Sequence, residues 1–261
     1  MPTINGFNNE VLVANVTFNG GTFSAGTDAT DNAISIGTAA NAGRTVTIGS
    51  GTAASSTVIN CGTGALNIGA NAIARTTTLG ATTGASVLAL KYGTGAFTLA
   101  SATGTVMSAL DTGEITYPLQ PAFSAFKSAP TLNVIGNGTL YAYICDTELF
   151  DQNGDYNNAT GVFTAPVTGK YLFTASVLVT GCTIASYISI SFLYGAAVFN
   201  QEFFRVASAS DFSHLITRVI NLTAGDTVFP TVFTNGEAAN TDDVSGAAAG
   251  HKTTFAGYLI C

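Results

Sequence analysis

The residues able to do chemistry are few. Two histidines, His214 and His251, are the only imidazoles in the 261-residue chain, and neither stands in a catalytic motif. There is no Gly-x-Ser-x-Gly elbow, no His-Glu-x-x-His and no phosphate loop. His251 adjoins the small-residue run Gly246 to Gly250 and reads as a solvated loop residue. Hydrolysis by carboxylates contributed from neighbouring chains is the one catalytic chemistry left open. The stretch from Ala33 to Met107 argues against it, because it contains no acid. No enzyme is therefore expected.

Two acidic loops suit a cation better than a substrate. Asp151-Gln152-Asn153-Gly154-Asp155 has the spacing of half a calcium loop, but Val162 stands where the twelfth-position Glu belongs. Gly236 to Val244 carries Glu237, Asp242 and Asp243. If three copies of that loop met on an axis, calcium would relieve the repulsion between like charges. The candidate metal residues are Asp151, Asp155, Asp242 and Asp243, against the plainer reading of polar turns; no other cofactor is expected. Four cysteines, Cys61, Cys145, Cys182 and Cys261, lie far apart without metal spacing. They read as reduced thiols, with a Cys145–Cys182 bridge left open.

Bulk composition narrows the partners. Charged residues make up 9% and hydrophobic ones 47%, which is too apolar for a disordered chain. The net charge is −7, so no nucleic-acid binding is expected. No apolar run approaches the roughly 18 residues of a membrane span, so no membrane insertion is expected either. The start, MPTINGFNNE, has neither basic nor apolar signal regions and predicts no export signal. Asn-x-Thr sequons begin at Asn15, Asn137, Asn158 and Asn221 and matter only on a secretory route.

The elements that hold these residues fall into unlike segments. Residues 1–32 carry Glu10, Asp28 and Asp31 around a few valines and read as a docking segment. Residues 33–110 form a degenerate repeat of apolar, small, apolar, often followed by Gly: Ile34-Ser35-Ile36-Gly37, Val46-Thr47-Ile48-Gly49, Leu66-Asn67-Ile68-Gly69, and weaker copies at Leu79, Leu88 and Phe97. Each copy suits a short strand with two apolar side chains on one side. Stacked copies share a core that a single copy lacks. A trimeric β-prism and a single-chain β-helix both satisfy this pattern. The near absence of charge favours threads packed against identical threads.

Residues 111–261 are denser in aromatics, and turn signals recur at Gly136-Asn137-Gly138, Asn153-Gly154, Gly225-Asp226 and Asn235-Gly236. Short alternating runs at this spacing predict an all-β sandwich or jelly roll. The stretch TGVFTAPVTGKYLFTAS, Thr160 to Ser176, reads as strand, turn, strand, with Phe163, Tyr171 and Phe173 able to share one face.

These residues also resemble the C1q/TNF-like globular domain family. Thr160, Gly161, Phe163, Pro166, Gly169, Tyr171 and Phe173 match its central motif. Pro121 to Phe126 resembles its first strand, Leu222 to Val228 its Leu-x-x-Gly-Asp-x-Val strand, and Thr254 to Ile260 its closing strand. The resemblance spans about residues 118–261. It implies a jelly roll of about ten strands and a compact homotrimer, with Phe123, Phe163, Tyr171, Phe173, Phe255 and Tyr258 in its core or trimer contacts. The collagen stalk of many members is replaced here by the Gly/Thr β-repeat. A docking segment, a β-stem and a distal knob resemble the plan of phage or virus fibres. The expectation is a homotrimeric fibre or spike on the virion surface, assembled in the host cytoplasm. Residues 1–32 would bind other virion proteins, and the knob a host surface glycan or protein. Polar loops carry recognition because they need not satisfy a core. The candidate receptor contacts are Ser208, Asp211 and His214 in one loop and Glu237, Asn240, Asp242 and Asp243 in the other. The alternatives are a structural capsid or tail decoration, a bacterial surface or spore-coat trimer, and a glycan-degrading tailspike.

Overall fold

The computed structural model describes residues 88–183, 187–195, 197–204 and 211–261, with Ile59 and Ile68. The docking segment 1–32, most of the β-repeat and Ser208 lie outside the described residues. Contacts divide the chain into Met1–Leu79 and Gly80–Cys261, and all the strands named below belong to the second unit. No helix occurs among the described residues, so none is long and apolar enough to cross a membrane.

The last repeat copy becomes a small antiparallel sheet. It consists of β1 (Phe97–Ser101), β2 (Gly104–Ala109) and β3 (Ile115–Thr116), in that order. Phe97 pairs with Ala109, Leu99 with Met107, and Ala109 with Ile115. Directly paired residues share a face, so one face of this neck sheet is apolar: Phe97, Leu99, Met107, Ala109, Ile115. Thr98, Ser108 and Thr116 lie on the other face, and Val106 is the unpaired residue of a bulge between Met107 and Thr105.

The knob is a sandwich of a seven-stranded and a six-stranded sheet, more strands than the ten implied because several are only two or three residues long. The chain runs through β4 (Ala122–Phe126), β5 (Thr131–Ile135), β6 (Leu140–Ala142), β7 (Thr147–Asp151), β8 (Tyr156–Asn157), β9 (Val162–Thr164) and β10 (Gly169–Thr180). It continues through β11 (Tyr187–Tyr194), β12 (Ala197–Phe204), β13 (Phe212–Leu222), β14 (Thr227–Asn235), β15 (Asp242–Val244) and β16 (Thr254–Leu259). In the first sheet β13 runs the length of β10, from Gly169↔Leu222 to Val179↔Phe212. β16 pairs with Tyr171–Ser176 of β10, β15 with Val179–Thr180, and β4 joins β16 to β7. The second sheet has the order β12-β11-β14-β9-β8, with β6 also on β14.

The Thr160–Ser176 stretch is not a hairpin. β9 pairs with β14 in the second sheet, whereas β10 belongs to the first. The chain crosses between sheets at Ala165-Pro166-Val167. Phe163 therefore faces Tyr171 and Phe173 across the core, ring centroids 5.4 and 5.3 Å apart, instead of sharing a face with them. Alternation fixes the inward side of a strand but not the sheet it joins.

Five aromatics expected to be central, Phe123, Phe163, Tyr171, Phe173 and Phe255, are fully buried. Phe123 stacks on Tyr156 at 4.7 Å and meets Phe255 edge-on at 4.9 Å. Such pairs add about 0.5–1.5 kcal/mol beyond their buried area. Gly257 makes room for them: a Cβ there would stand 2.5 Å from Cδ1 of Phe173 and 2.9 Å from Cε1 of Phe123. Gly161 has φ +75°, and a Cβ there would come within 3.2 Å of the Ile144 backbone. Both motif glycines are thus fixed by geometry.

Gly257→Ala should destabilise the knob by about 1–3 kcal/mol, the usual cost of overpacking a full core. The urea midpoint of the purified chain measures this. A midpoint equal to that of the parent chain would mean the ring cluster is not rigidly packed.

Candidate functional site

β10 runs from the end of the knob that meets the neck to the opposite end, and its partners place loops at both. At the far end several polar loops are hydrogen-bonded to one another. Gly181 N–H donates to Asp211 Oδ1 at 3.3 Å. Thr183 donates to Glu237 through its N–H at 2.9 Å and its hydroxyl at 2.8 Å. Asp243 Oδ1 accepts from Asn133 N–H at 2.7 Å, and Asn240 Oδ1 from Asn137 N–H at 3.5 Å. Four segments, 133–138, 181–183, Asp211 and 236–243, thus form one apical surface held by carboxylates and amides on backbone donors.

The candidate residues differ in what they present there. Asp211 is exposed, while Glu237, Asn240 and Asp243 are half-buried, at least partly open to solvent. His214 has the strand parity of Ile216 and Ile220, and its Nε2 is shielded from solvent. Asp242 is fully buried. The Thr234 hydroxyl, the Cys182 thiol and Thr241 stand beside the Asp242 carboxyl, but neither of its oxygens completes a well-formed hydrogen bond. Burial raises its pKa above the usual carboxylate value, and the Glu237 charge adds to this. Cys182 is pushed up to about 12 by burial and then by Asp242. Cys145 is likewise pushed up to about 12 by burial. Both are free buried thiols, not a bridge, and neither ionises readily enough to serve as a nucleophile.

Asp151 and Asp155 lie at the opposite end. Asp151 Oδ1 accepts from Gly154 N–H at 3.1 Å and Asp155 N–H at 3.2 Å, and its Oδ2 accepts from Tyr156 N–H at 2.9 Å. Its carboxylate shapes the tight turn between β7 and β8. Asp155 is half-buried, and its pKa is raised by burial and by the Asp151 charge. Asp242 and Asp243 are thus at the other end of the knob from Asp151 and Asp155. Among the described residues no three His, Cys, Asp or Glu side chains gather as a metal-ligand set.

The same turn carries a feature that sequence reasoning missed. Gln152 Nε2 donates to the Tyr117 and Gln120 carbonyls at 2.7 and 2.8 Å, and Asn153 Nδ2 to the Leu119 carbonyl at 2.8 Å. Gln120 Nε2 in turn donates to the Leu259 carbonyl. Three side-chain amides clasp residues 117–120 against the base of the knob.

The outward face of the seven-stranded sheet was also missed. Its cross-strand rows run Val219–Leu172–Tyr258–Ala122, Thr217–Thr174–Ala256–Ser124–Phe150 and Leu215–Ser176–Thr254–Phe126. No side chain in these rows is charged. Leu215, Val219, Tyr258 and Phe150 are each at least half exposed. Tyr258 thus belongs to this face, not to the core. The consecutive apolar residues Tyr171-Leu172-Phe173 were the available signal, since a strand covered on both faces reads as an unbroken run.

The C1q domain model matches residues 122–260, more than half of the chain. The chain belongs to the C1q domain family. Among solved structures, the globular domain of zebrafish complement 1qA is similar at 18% identity, covering 54% of this chain and 98% of that one, TM-score 0.40. Murine APRIL at pH 5.0 is similar at 12% identity, covering 54% of this chain and 99% of that one, TM-score 0.40. No curated protein matches. Domains of the C1q and TNF-like type are typically non-enzymatic binding modules that form homotrimers. In this C1q domain the Leu-x-x-Gly-Asp motif builds a turn: Asp226 Oδ2 accepts from the Tyr194 hydroxyl and from Thr223 N–H, each at 2.7 Å. The Tyr194 bond, then the Thr223 bonds, hold the Asp226 pKa low.

The buried Asp242 makes a signed pH prediction. Its folded-state pKa lies above the unfolded value, so the folded chain binds the extra proton between the two. Stability falls as pH rises through that window. Asp242→Asn removes the effect and should raise Tm at pH 8. The gain should vanish at about pH 3, below the unfolded-state value. Thermal melts at the two pH values check it, and a loss of Tm at pH 8 would show that the carboxylate is partnered.

Proposed function

We propose that this chain is a trimeric virion fibre or spike protein, whose C1q knob contacts a host surface glycan or protein through its apical loops. The observation that carries the trimer is the uncharged patch of exposed apolar residues, Leu215, Val219, Tyr258 and Phe150, in the central rows of the outward face of the seven-stranded sheet. A sheet with apolar side chains on both faces needs both covered. The neighbouring sheet covers one, and a second copy of the chain covers the other. A hollow of about 390 Å3 between Phe150, Leu172 and Tyr258 gives a neighbour's side chains a place to enter. Family membership supports a threefold arrangement.

The fibre reading rests on the repeat. Ile68, Leu88, Leu90 and Leu99 are at least about half exposed in the single chain. Exposed apolar repeat residues are what a stem of three packed threads requires. Residues 1–32 remain the segment proposed to dock on other virion proteins, and the virion surface the proposed location. Recognition is assigned to the apex because its polar loops are fastened to one another and not to the core. The module performs no catalysis in this reading.

Light scattering of the full chain should give three times the 26.5 kDa protomer. Val219→Glu, at a position already exposed, should reduce that mass to one protomer without unfolding it. The cause is an unpaired charge buried at each interface, worth several kcal/mol. A Val219→Glu chain that stays trimeric would place the contact elsewhere. Replacing residues 237–241 by a Gly-Ser linker should leave the mass unchanged and abolish adsorption of the labelled trimer to host cells. Undiminished adsorption would remove recognition from the apex and favour a structural decoration.

A further inference from the structure

The junction of neck and knob holds a cavity of about 660 Å3. Val106, Tyr117 and Leu119 wall it on the neck side, and Val167, Leu259 and Ile260 on the knob side. Val106, Tyr117, Val167 and Ile260 are each more than 40% exposed, so the cavity is an open apolar groove. Asp155 is the charged side chain on its wall. The groove continues into the outward sheet face, since Leu259 follows Tyr258 in β16 and Pro121 precedes Ala122 in β4.

A second unpartnered surface lies at the same level. Val106 of the neck sheet lines the groove, whereas Leu99, Met107 and Ile115 of its apolar face do not. On that apolar face Leu99 is 49% and Ile115 56% exposed. A three-stranded sheet gains independent stability only when such a face is covered.

We infer that the groove of each chain receives the apolar neck face of a second copy, so that each neck is seated in its neighbour's knob base. The inference rests on the trimer proposed above and specifies a contact that the trimer alone does not. Rotation about a molecular threefold axis preserves height along that axis. A groove at neck level therefore meets only what a neighbour carries at neck level. Leu99, Met107 and Ile115 are the apolar residues offered there. The contact is head-to-tail and closes after three copies, so no surface is left over to seed a filament. It also explains the amide clasp: Gln152, Asn153 and Gln120 fix the neck segment that forms one groove wall.

Cys261 is exposed, free and on the groove wall, so it can report the contact. Full-length chains carrying Ile115→Cys with Cys261→Ser would be co-expressed with differently tagged parental chains and exposed to diamide. The double variant carries the new thiol but not the native one at Cys261, and the parental chain the reverse. A bond between the two positions can therefore form only between copies. The expected result is a covalent heterodimer on a non-reducing gel, absent when either chain is expressed alone. Leu99→Cys in the same background should behave likewise. A chain of trimeric mass that yields no heterodimer with either variant would overturn the seat and leave the trimer standing. A monomeric mass would overturn both. Binding of a naphthalenesulfonate dye to the intact trimer, lost with Val167→Glu, would also overturn it by showing the groove open.

Discussion

The seven-stranded sheet buries one side in the sandwich and carries an uncharged patch around Leu172, Val219 and Tyr258 on the other, and the rest of the molecule is arranged around that fact. Tyr171, Phe173, Ala175 and Val177 of β10 point into the sandwich, while Leu172 points out. Thr174, Ser176, Ala256 and Ser124 line the outward side with it, small enough to let another surface approach closely. The hydroxyls there are not wasted on solvent: Ser176 bonds to Thr254 at 2.7 Å, and Thr217 to Thr174 at 3.2 Å. Internal pairing of hydroxyls lets a polar-looking strand present a surface that loses little on dehydration.

The knob has unlike ends. The outward rows through Leu172, Thr174 and Ser176 carry no charge, and the acids of the apical loops and of the β7–β8 turn lie beyond them. At the apex their oxygens bind backbone N–H groups of neighbouring loops. At the base, Asp151 closes its own turn and frees Gln152 and Asn153 to reach the neck. The two ends of the knob thereby differ in character.

Much of this was legible before any coordinates. The glycines and aromatics from Thr160 to Phe173 named the family, because Gly161 needs a positive φ and Gly257 needs to lack a side chain against Phe173. Other features were not. Alternation marks which side of β9 and β10 is buried but not that they belong to different sheets. Leu172 and Val219 were hidden in runs read for their inward residues alone. Asp151 suited a calcium loop as well as an Asx turn, because both need a carboxylate folded over a glycine-containing bend. Asp242 was counted among solvent-facing acids, and only the pairing of β15 with β5 and β10 reveals that it is enclosed.

The clasp at the neck is made wholly of amide hydrogens on carbonyl oxygens. None of these groups titrates between acid and alkaline extremes, and none is screened by salt as an ion pair would be. The apical loops, in contrast, are tied down by carboxyl groups that accept from backbone N–H groups. The joint between knob and neck is thus fastened by bonds that carry no net charge, whereas the apex is fastened by carboxylates.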